Sequence, residues 1–276
     1  MNKTIEKKKV DFIFIVLCYK NTIDLKSFIE SVSNIKDSYK IIVVNNFYDE
    51  STNLEFQEIS KKNDCDFLSF PNKGYGFGNN RGIEFANKMY SYEYLIISNP
   101  DIKFDLFEKE SLKNMTECIV APQIKTLSGK MQNPFMNYNV PLVEYLEYKG
   151  HKKKSNLLLY SGYGINKIIR EISILKNKIK YKPIRKTYAA HGAFIIFGYK
   201  ALQILQQPFD ESMFLFSEEF YLAKLARKKN ISIYLNFDIK ITHKEDGSMS
   251  LVNNSINKMQ AESFIKYYEK EHKINS

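Results

Sequence analysis

A mostly parallel α/β sheet with crossover helices is the fold class that this sequence predicts, and three features predict it. Short apolar runs rich in β-formers alternate with segments of helical spacing, these runs end on small polar residues, and neither an internal repeat nor a Pro- or Ser-rich linker divides the chain. A length of 276 residues, 44% hydrophobic and 26% charged, suits one large domain and argues against wholesale disorder.

Taken in order, Phe12 to Cys18 reads as a strand buried on both faces, because its successive apolar residues leave no polar side. A helix follows, with Leu25, Phe28, Ile29, Val32 and Ile35 at spacings of three or four and Asp24 as its expected N-cap. Ile41 to Val44 is the second strand and ends on Asn45-Asn46. A second helix is expected from about Ser51 to Lys62, a short strand from Phe67 to Phe70, and a third helix from near Asn79, after a glycine-rich loop. Tyr94 to Ser98 is the next strand, stopped by Asn99-Pro100-Asp101. Sheets of this kind bind ligands at the carboxyl ends of their strands, which is where the polar residues collect.

The second half is less regular. Cys118 to Ala121 and Ala193 to Phe197 read as strands, and Ser217 to Lys229 as a helix with Phe220, Leu222, Leu225 and Ala226 turned inward. Ile231 to Leu235 and Ile239 to Thr242 read as two short strands. A terminal helix is expected over about Asn257 to Lys273, with Ala261, Phe264, Ile265 and Tyr268 on one face.

The net charge of +10 is local. Lys149 to Lys186 holds twelve basic residues against one acid, Glu171, a net +11 that leaves the rest of the chain at −1. Such a patch points to a polyanion: a membrane surface, phosphates or nucleic acid. The three cysteines, Cys18, Cys65 and Cys118, lie far apart with no C-x-x-C pair, so they read as core residues and not as a disulfide framework or zinc knuckle. No apolar run is long enough to span a bilayer, and no small-residue cleavage site follows the first strand, so a cytoplasmic protein is expected.

The residues with chemical potential fall in a few places. Asn72 to Gly82 (NKGYGFGNNRG) carries four glycines that allow close backbone approach, opens a helix whose N–H groups favour a diphosphate, and includes Arg81 as a phosphate partner. It lacks the full G-x-G-x-x-G and the Walker Gly-Lys-Ser/Thr. Asp101, straight after a strand, suits one coordination position on Mg²⁺ or Mn²⁺. Phe209-Asp210-Glu211 and Glu218-Glu219 are acidic pairs near a helix start, where capping competes with a general-base role. His243 ends a strand, and His191-Gly192-Ala193 precedes one.

The order of these pieces resembles family-2 glycosyltransferases, in particular the bacterial rhamnosyltransferase-like and galactofuranosyltransferase-like group that builds surface polysaccharides. The matching residues are Val16 to Asn21, Val43 to Asn46, Asn72 to Gly82, Ser98 to Asp101, His191 to Ala193, Phe209 to Glu211, Glu218-Glu219, and His243 with Gly247-Ser248. The resemblance implies a single GT-A domain: a nucleotide-sugar-binding half over about 10–122, an acceptor-binding half over 123–250 that includes the basic insert 141–186, and a C-terminal helix in 251–276. It implies an inverting, metal-dependent transfer from a nucleotide-diphospho-sugar, UDP- or dTDP-linked, to a saccharide or lipid-linked oligosaccharide. Asp101 and His243 would hold Mn²⁺ or Mg²⁺, and Glu219, with Glu218 as fallback, would be the catalytic base. Tyr19, Asn45, Asn72, Gly74, Gly76, Asn79, Asn80, Arg81, Asn99, His191 and Gly192 would line the donor.

Asn45 and Asn99 stand where the family carries Asp, so base preference and cation affinity are not inherited. The basic insert, 149–186, is expected to meet the anionic inner face of the cell membrane, and an oligomer is compatible with the terminal helix. Nucleic acid is not the expected partner, since that reading leaves the glycine loop and acidic pair unexplained. A nucleotidyltransferase would need a glycine-rich loop where Tyr19-Lys20-Asn21-Thr22 stands.

Overall fold

A computed structural model describes residues 6–179, 181–245 and 253–274, and its middle layer is a nine-stranded sheet with helices on both faces. The strands are β1 (Phe12–Cys18), β2 (Tyr39–Phe47), β3 (Asp66–Pro71), β4 (Tyr94–Ser98), β5 (Ile102–Leu106), β6 (Ile119–Thr126), β7 (Ile184–Thr187), β8 (Phe194–Gly198) and β9 (Ile233–His243). The helices are α1 (Thr22–Val32), α2 (Glu50–Lys62), α3 (Tyr75–Met89), α4 (Pro141–Lys153), α5 (Asn156–Ile179), α6 (Tyr199–Leu205), α7 (Glu218–Lys228) and α8 (Asn253–His272).

The sheet order is β3-β2-β1-β4-β8-β6-β9-β5, with β7 also paired to β9. The first four strands in that order are parallel. Beyond them the sheet is mixed: β8 runs antiparallel to β4 and β6, whereas β9 is parallel to β6 and antiparallel to β5 and β7.

The continuous apolar runs are explained by burial on both sides. In β1, Ile13 and Ile15 pack with α3 residues Ile83 and Ala86, while Phe12, Phe14, Val16 and Cys18 pack with Leu25, Phe28 and Val32 of α1 and Phe56 of α2. The first face also receives α6, α7 and α8, through Leu202, Phe220, Phe264 and Tyr267. Cys18 and Cys118 are buried and Cys65 is half-buried, and none forms a disulfide.

Three local expectations are corrected. The N-cap of α1 is Asn21, whose Oδ1 accepts the Ile23 and Asp24 N–H groups, and Asp24 lies inside the first turn, accepting Asn21 Nδ2 at 2.6 Å. The third helix starts at Tyr75 and not near Asn79, so most of the glycine run is helical. Glycine lowers helix propensity, by about 1 kcal/mol per residue against Ala. Packing overrides it here, because a Cβ at Gly82 would sit 2.6 Å from Ile15 Cγ2 and one at Gly78 would sit 2.4 Å from Leu17 Cδ1. The two short strands near the C-terminus are one strand, β9, with a register break between Asn236 and Lys240. Buried Asn236 secures the break by donating to Ser111 O at 2.6 Å and accepting Asp238 N–H at 3.0 Å.

The basic insert is a helical hairpin. Its α4 lies on α8, with the Tyr148 and Tyr268 rings stacked at 4.3 Å. One face of α5 is fastened to the loop 131–137, where Asn166 Nδ2 donates to Phe135 O, Arg170 Nη2 to Met131 O and Ser173 Oγ to Asn137 Oδ1. Among the described residues no helix is long and apolar enough to cross a membrane.

Candidate active site

The parallel strands β1 to β4 end at one edge, and this places Tyr19, Asn45, Asn46, Asn72 and Asn99 along it. Asn45 is buried at the end of β2, with Nδ2 3.0 Å from Asn53 Oδ1 and 3.5 Å from Ser69 Oγ. Tyr19 meets Tyr48 edge-on at 5.8 Å, and Lys20 Nζ lies 3.9 Å from the centre of the Tyr48 ring, giving the edge an aromatic and cationic rim. Asn72 Oδ1 accepts the Gly74 N–H and closes the turn into α3.

The glycine run packs closely against the segment 209–214. Gly74 has φ +105°, and a Cβ there would lie 2.1 Å from Phe214 O, while Tyr75 N–H donates to that same carbonyl at 2.7 Å. Further along α3, Asn80 Nδ2 donates to Phe209 O and Glu211 Oε1, and Arg81 Nη2 pairs with Glu211 at 2.6 Å and Glu84 at 2.8 Å. Buried Asn79 donates to Tyr75 O in its own helix. Asn79, Asn80 and Arg81 are therefore engaged within α3 and with the segment 209–211. The Arg81 guanidinium faces two carboxylates through Nη2, while its Nε has no partner among the described residues. Gly76 sits against the Asp210 backbone and belongs to the same latch.

This latch sets the entry into α7. Phe216 and Ser217 both have left-handed backbones, φ 74° and 71°, directly before Glu218. Two consecutive non-glycine residues there are strained by about 1–3 kcal/mol each, and such strain persists only where the surroundings hold it. Glu218 is buried, and its Oε1 has no hydrogen-bond partner among the described residues. Half-buried Glu219 accepts the Gly192 N–H at 3.1 Å, and Tyr75 OH donates to Gly192 O at 2.7 Å. Burial holds both carboxyls above the ordinary range, and for Glu218 the neighbouring Glu219 adds to it.

On the other side of Gly192 lies a second cluster. Asn99 N–H donates to Ala193 O at 2.9 Å, joining the end of β4 to the start of β8. Buried Asp101 and His243 meet with Oδ2 and Nε2 3.2 Å apart, because His243 at the end of β9 is registered opposite Ile102 at the start of β5. Asn133 Oδ1 accepts the His191 N–H at 2.8 Å, and His191 Nδ1 accepts the Ala193 N–H at 3.1 Å. Burial, with cationic charge nearby, pushes the His191 pKa down to about 3, so its ring is neutral and carries its proton on Nε2. The rings of His191 and His243 are 6.0 Å apart.

Gln132 and Asn133 are the residues that sequence reading missed. Gln132 Nε2 donates to Glu245 Oε1 at 2.7 Å, which turns its Oε1 toward His243 Nδ1 at 2.8 Å. His243 then donates from Nδ1, and its Nε2 faces the Asp101 carboxylate. Two acceptors 3.2 Å apart need a proton or a cation between them. Neighbouring corners of an octahedron with bonds of about 2.1 Å are roughly 3 Å apart, so the pair fits two adjacent positions on Mg²⁺ or Mn²⁺. Among the described residues no group of three or more His, Cys, Asp and Glu side chains could hold a metal ion, so phosphate and water would supply the other positions. Gly247-Ser248 lies outside the described residues.

Volume alone does not locate this chemistry. A groove of about 590 Å³ is lined by Lys26, Glu55, Glu58 and Lys62 of α1 and α2, away from the acids and histidines described above.

A parallel sheet half joined to a mixed half, with helices on both faces, matches the GT-A glycosyltransferase fold. Comparison with known proteins agrees with this. Among curated proteins, the chain is similar to the low-salt glycan biosynthesis hexosyltransferase Agl10 of Haloferax volcanii, with 25% identity over 228 residues, 81% of this chain and 64% of that protein's length. Among solved structures, it is similar to GalNAc-T7 with UDP, GalNAc and Mn²⁺ (TM-score 0.58, 12% identity, 85% of this chain and 44% of that one). It is also similar to S. aureus TarS (TM-score 0.54, 13% identity, 85% of this chain and 36% of that one). No family model matches the chain.

Proposed function

We propose that this chain is an inverting glycosyltransferase that uses a divalent cation, Mn²⁺ or Mg²⁺. It would move a hexosyl or deoxyhexosyl group from a UDP- or dTDP-linked sugar to a saccharide hydroxyl. The acceptor is a lipid-linked oligosaccharide met at the inner face of the membrane, and the product is a bacterial surface polysaccharide such as capsule or O-antigen. The observation that carries the reading is the convergence on one tripeptide, His191-Gly192-Ala193, of Asn99 and Glu219, beside the Asp101–His243 pair. Similarity to a hexosyltransferase and to a GT-A enzyme bound to UDP and Mn²⁺ supports it.

The residues divide the work. Asp101 and His243 would hold the cation, which neutralises charge on the donor diphosphate when bound. Asn45 and Tyr19 line the place of the nucleoside, and Asn99 that of the ribose or sugar. Glu219, positioned by the Gly192 N–H, accepts the acceptor hydroxyl's proton as the new C–O bond forms and the bond to the diphosphate oxygen breaks. One in-line displacement places the new bond on the opposite face, hence inversion. Tyr75 and His191 brace the Gly192 peptide and keep Glu219 aimed.

The test pairs binding with turnover. Thermal shift is measured across UDP-, dTDP-, GDP- and CMP-sugars with Mn²⁺ or Mg²⁺, for the native chain, Asp101→Ala and Glu219→Gln. Glu219→Gln should keep the donor shift and lose transfer by at least about 100-fold, the scale of a general base. Equal turnover in Glu219→Gln, or no metal-dependent shift with any donor, sinks the assignment.

A further inference from the structure

The outer face of α5 is apolar where nothing in the described structure covers it. Leu157, Tyr160, Ile168, Ile172 and Leu175 are 77, 70, 62, 50 and 59% exposed. At 100° per residue they fall within a stripe about 120° wide, opposite the face that Asn166, Arg170 and Ser173 fasten to the loop 131–137. Exposed Lys167 and Lys176 lie on its two shoulders, and exposed Lys153 and Lys154 precede it. Glu171 is the one acid on that face. Single exposed apolar residues need no explanation, but a stripe running through a helix of 24 residues does.

We infer that α5 is an interfacial docking helix that lays this stripe into the surface of an anionic bilayer. The charge argues for the occupant. An apolar stripe with lysines at its shoulders matches a layer of acidic headgroups above acyl chains, whereas a second copy would set this strongly basic segment against itself. The helix also reaches the candidate active site. The loop it holds carries Gln132 to His243 and Asn133 to His191, so docking would bring the site to the membrane plane. The inference rests on the reading that the acceptor is lipid-linked, and names the surface by which the chain meets it.

The test uses the full chain and vesicles of phosphatidylcholine with or without phosphatidylglycerol, read by co-sedimentation. The native chain should bind the vesicles that contain phosphatidylglycerol and weaken, without complete loss, as salt rises. Leu157→Ser/Ile168→Ser/Ile172→Ser should lose on the order of 100-fold in partitioning, with partial immersion contributing roughly 5-fold per side chain. The substituted side chains are exposed, so the donor thermal shift should not change. Unchanged partitioning in the triple variant, or no vesicle binding by the native chain, overturns the inference. So does a native dimer in light scattering that the triple variant makes monomeric without any vesicle binding. In the native chain, no vesicle binding with an intact donor shift refutes this inference alone, whereas vesicle binding without any donor shift refutes the proposed activity alone.

Discussion

Replacing Gln132 by Leu tests whether His243 is prepared to bind a cation. In the native chain the Gln132 carboxamide is fixed at one end by Glu245 at 2.7 Å and fixes His243 Nδ1 at the other at 2.8 Å. Leu keeps the approximate volume and removes the acceptor. The imidazole then loses one hydrogen bond, about 0.5–1.5 kcal/mol net, and its proton can move to Nε2, where it would donate to Asp101 and block coordination. Outer partners of metal-bound histidines change affinity by about 10–100-fold. The lower end applies, because Asp101 is untouched and exposed Glu245 regains water. We expect Mn²⁺ affinity, in the presence of the nucleoside diphosphate, to fall by about 10-fold, followed by electron paramagnetic resonance of free Mn²⁺ or by calorimetry. Glu245→Ala should lose about 2-fold or less, since the Gln132 oxygen still faces Nδ1. Unchanged Mn²⁺ affinity in Gln132→Leu, with Asp101→Asn losing it, would show that the orientation of His243 is not set through Nδ1.

Other expectations follow from burial and packing. Gly82→Ala gains about 1 kcal/mol in helix propensity but drives a methyl to 2.6 Å from Ile15 Cγ2 in the two-sided core, where overpacking costs typically 1–3 kcal/mol. The melting temperature should fall by a few degrees, and a rise would show that β1 yields. Glu147 is buried between α4 and α5, and burial, with Glu144 nearby, pushes its carboxyl up to about 8. A raised acid contributes stability that is present below the unfolded value near 4.5 and is lost as pH rises through about 8. Glu147→Gln should therefore melt near the native chain at pH about 5 and above it at pH about 9, with parallel melting curves refuting the assignment. Because Glu218 and Glu219 are both held above the ordinary carboxylate range, transfer should need a higher pH than an exposed Glu base would, with kcat/KM rising through the raised value. A profile already flat from pH about 5 would exclude this pair as the base.

Much of the parallel half was legible along the chain, because two-sided burial leaves a local signature. Phe12–Cys18 and Tyr94–Ser98 emerge with the bounds that their apolar runs predict, and Asn45, Asn99 and Asp101 stand at the strand ends where ligands bind. The glycine run was visible, but its place inside α3 was not. Its residues pack α3 on β1 and latch the entry of α7, and no local rule says whether a glycine bends a chain or admits a neighbour. Gln132 and Asn133 left no trace, since they lie in an irregular stretch and matter only through His243 and His191, far away in sequence.

Composition and order of motifs determined the α/β class, the polar edge and the basic segment, because hydrophobic period and charge are properties of neighbouring residues. Only the tertiary structure decided which of those residues meet. It set Asp101 against His243 through the β9–β5 register, aimed Glu219 through a peptide N–H from another segment, and turned Arg81 toward carboxylates. It also left one face of α5 uncovered, for exposure is set by what packs against a helix and not by its own sequence.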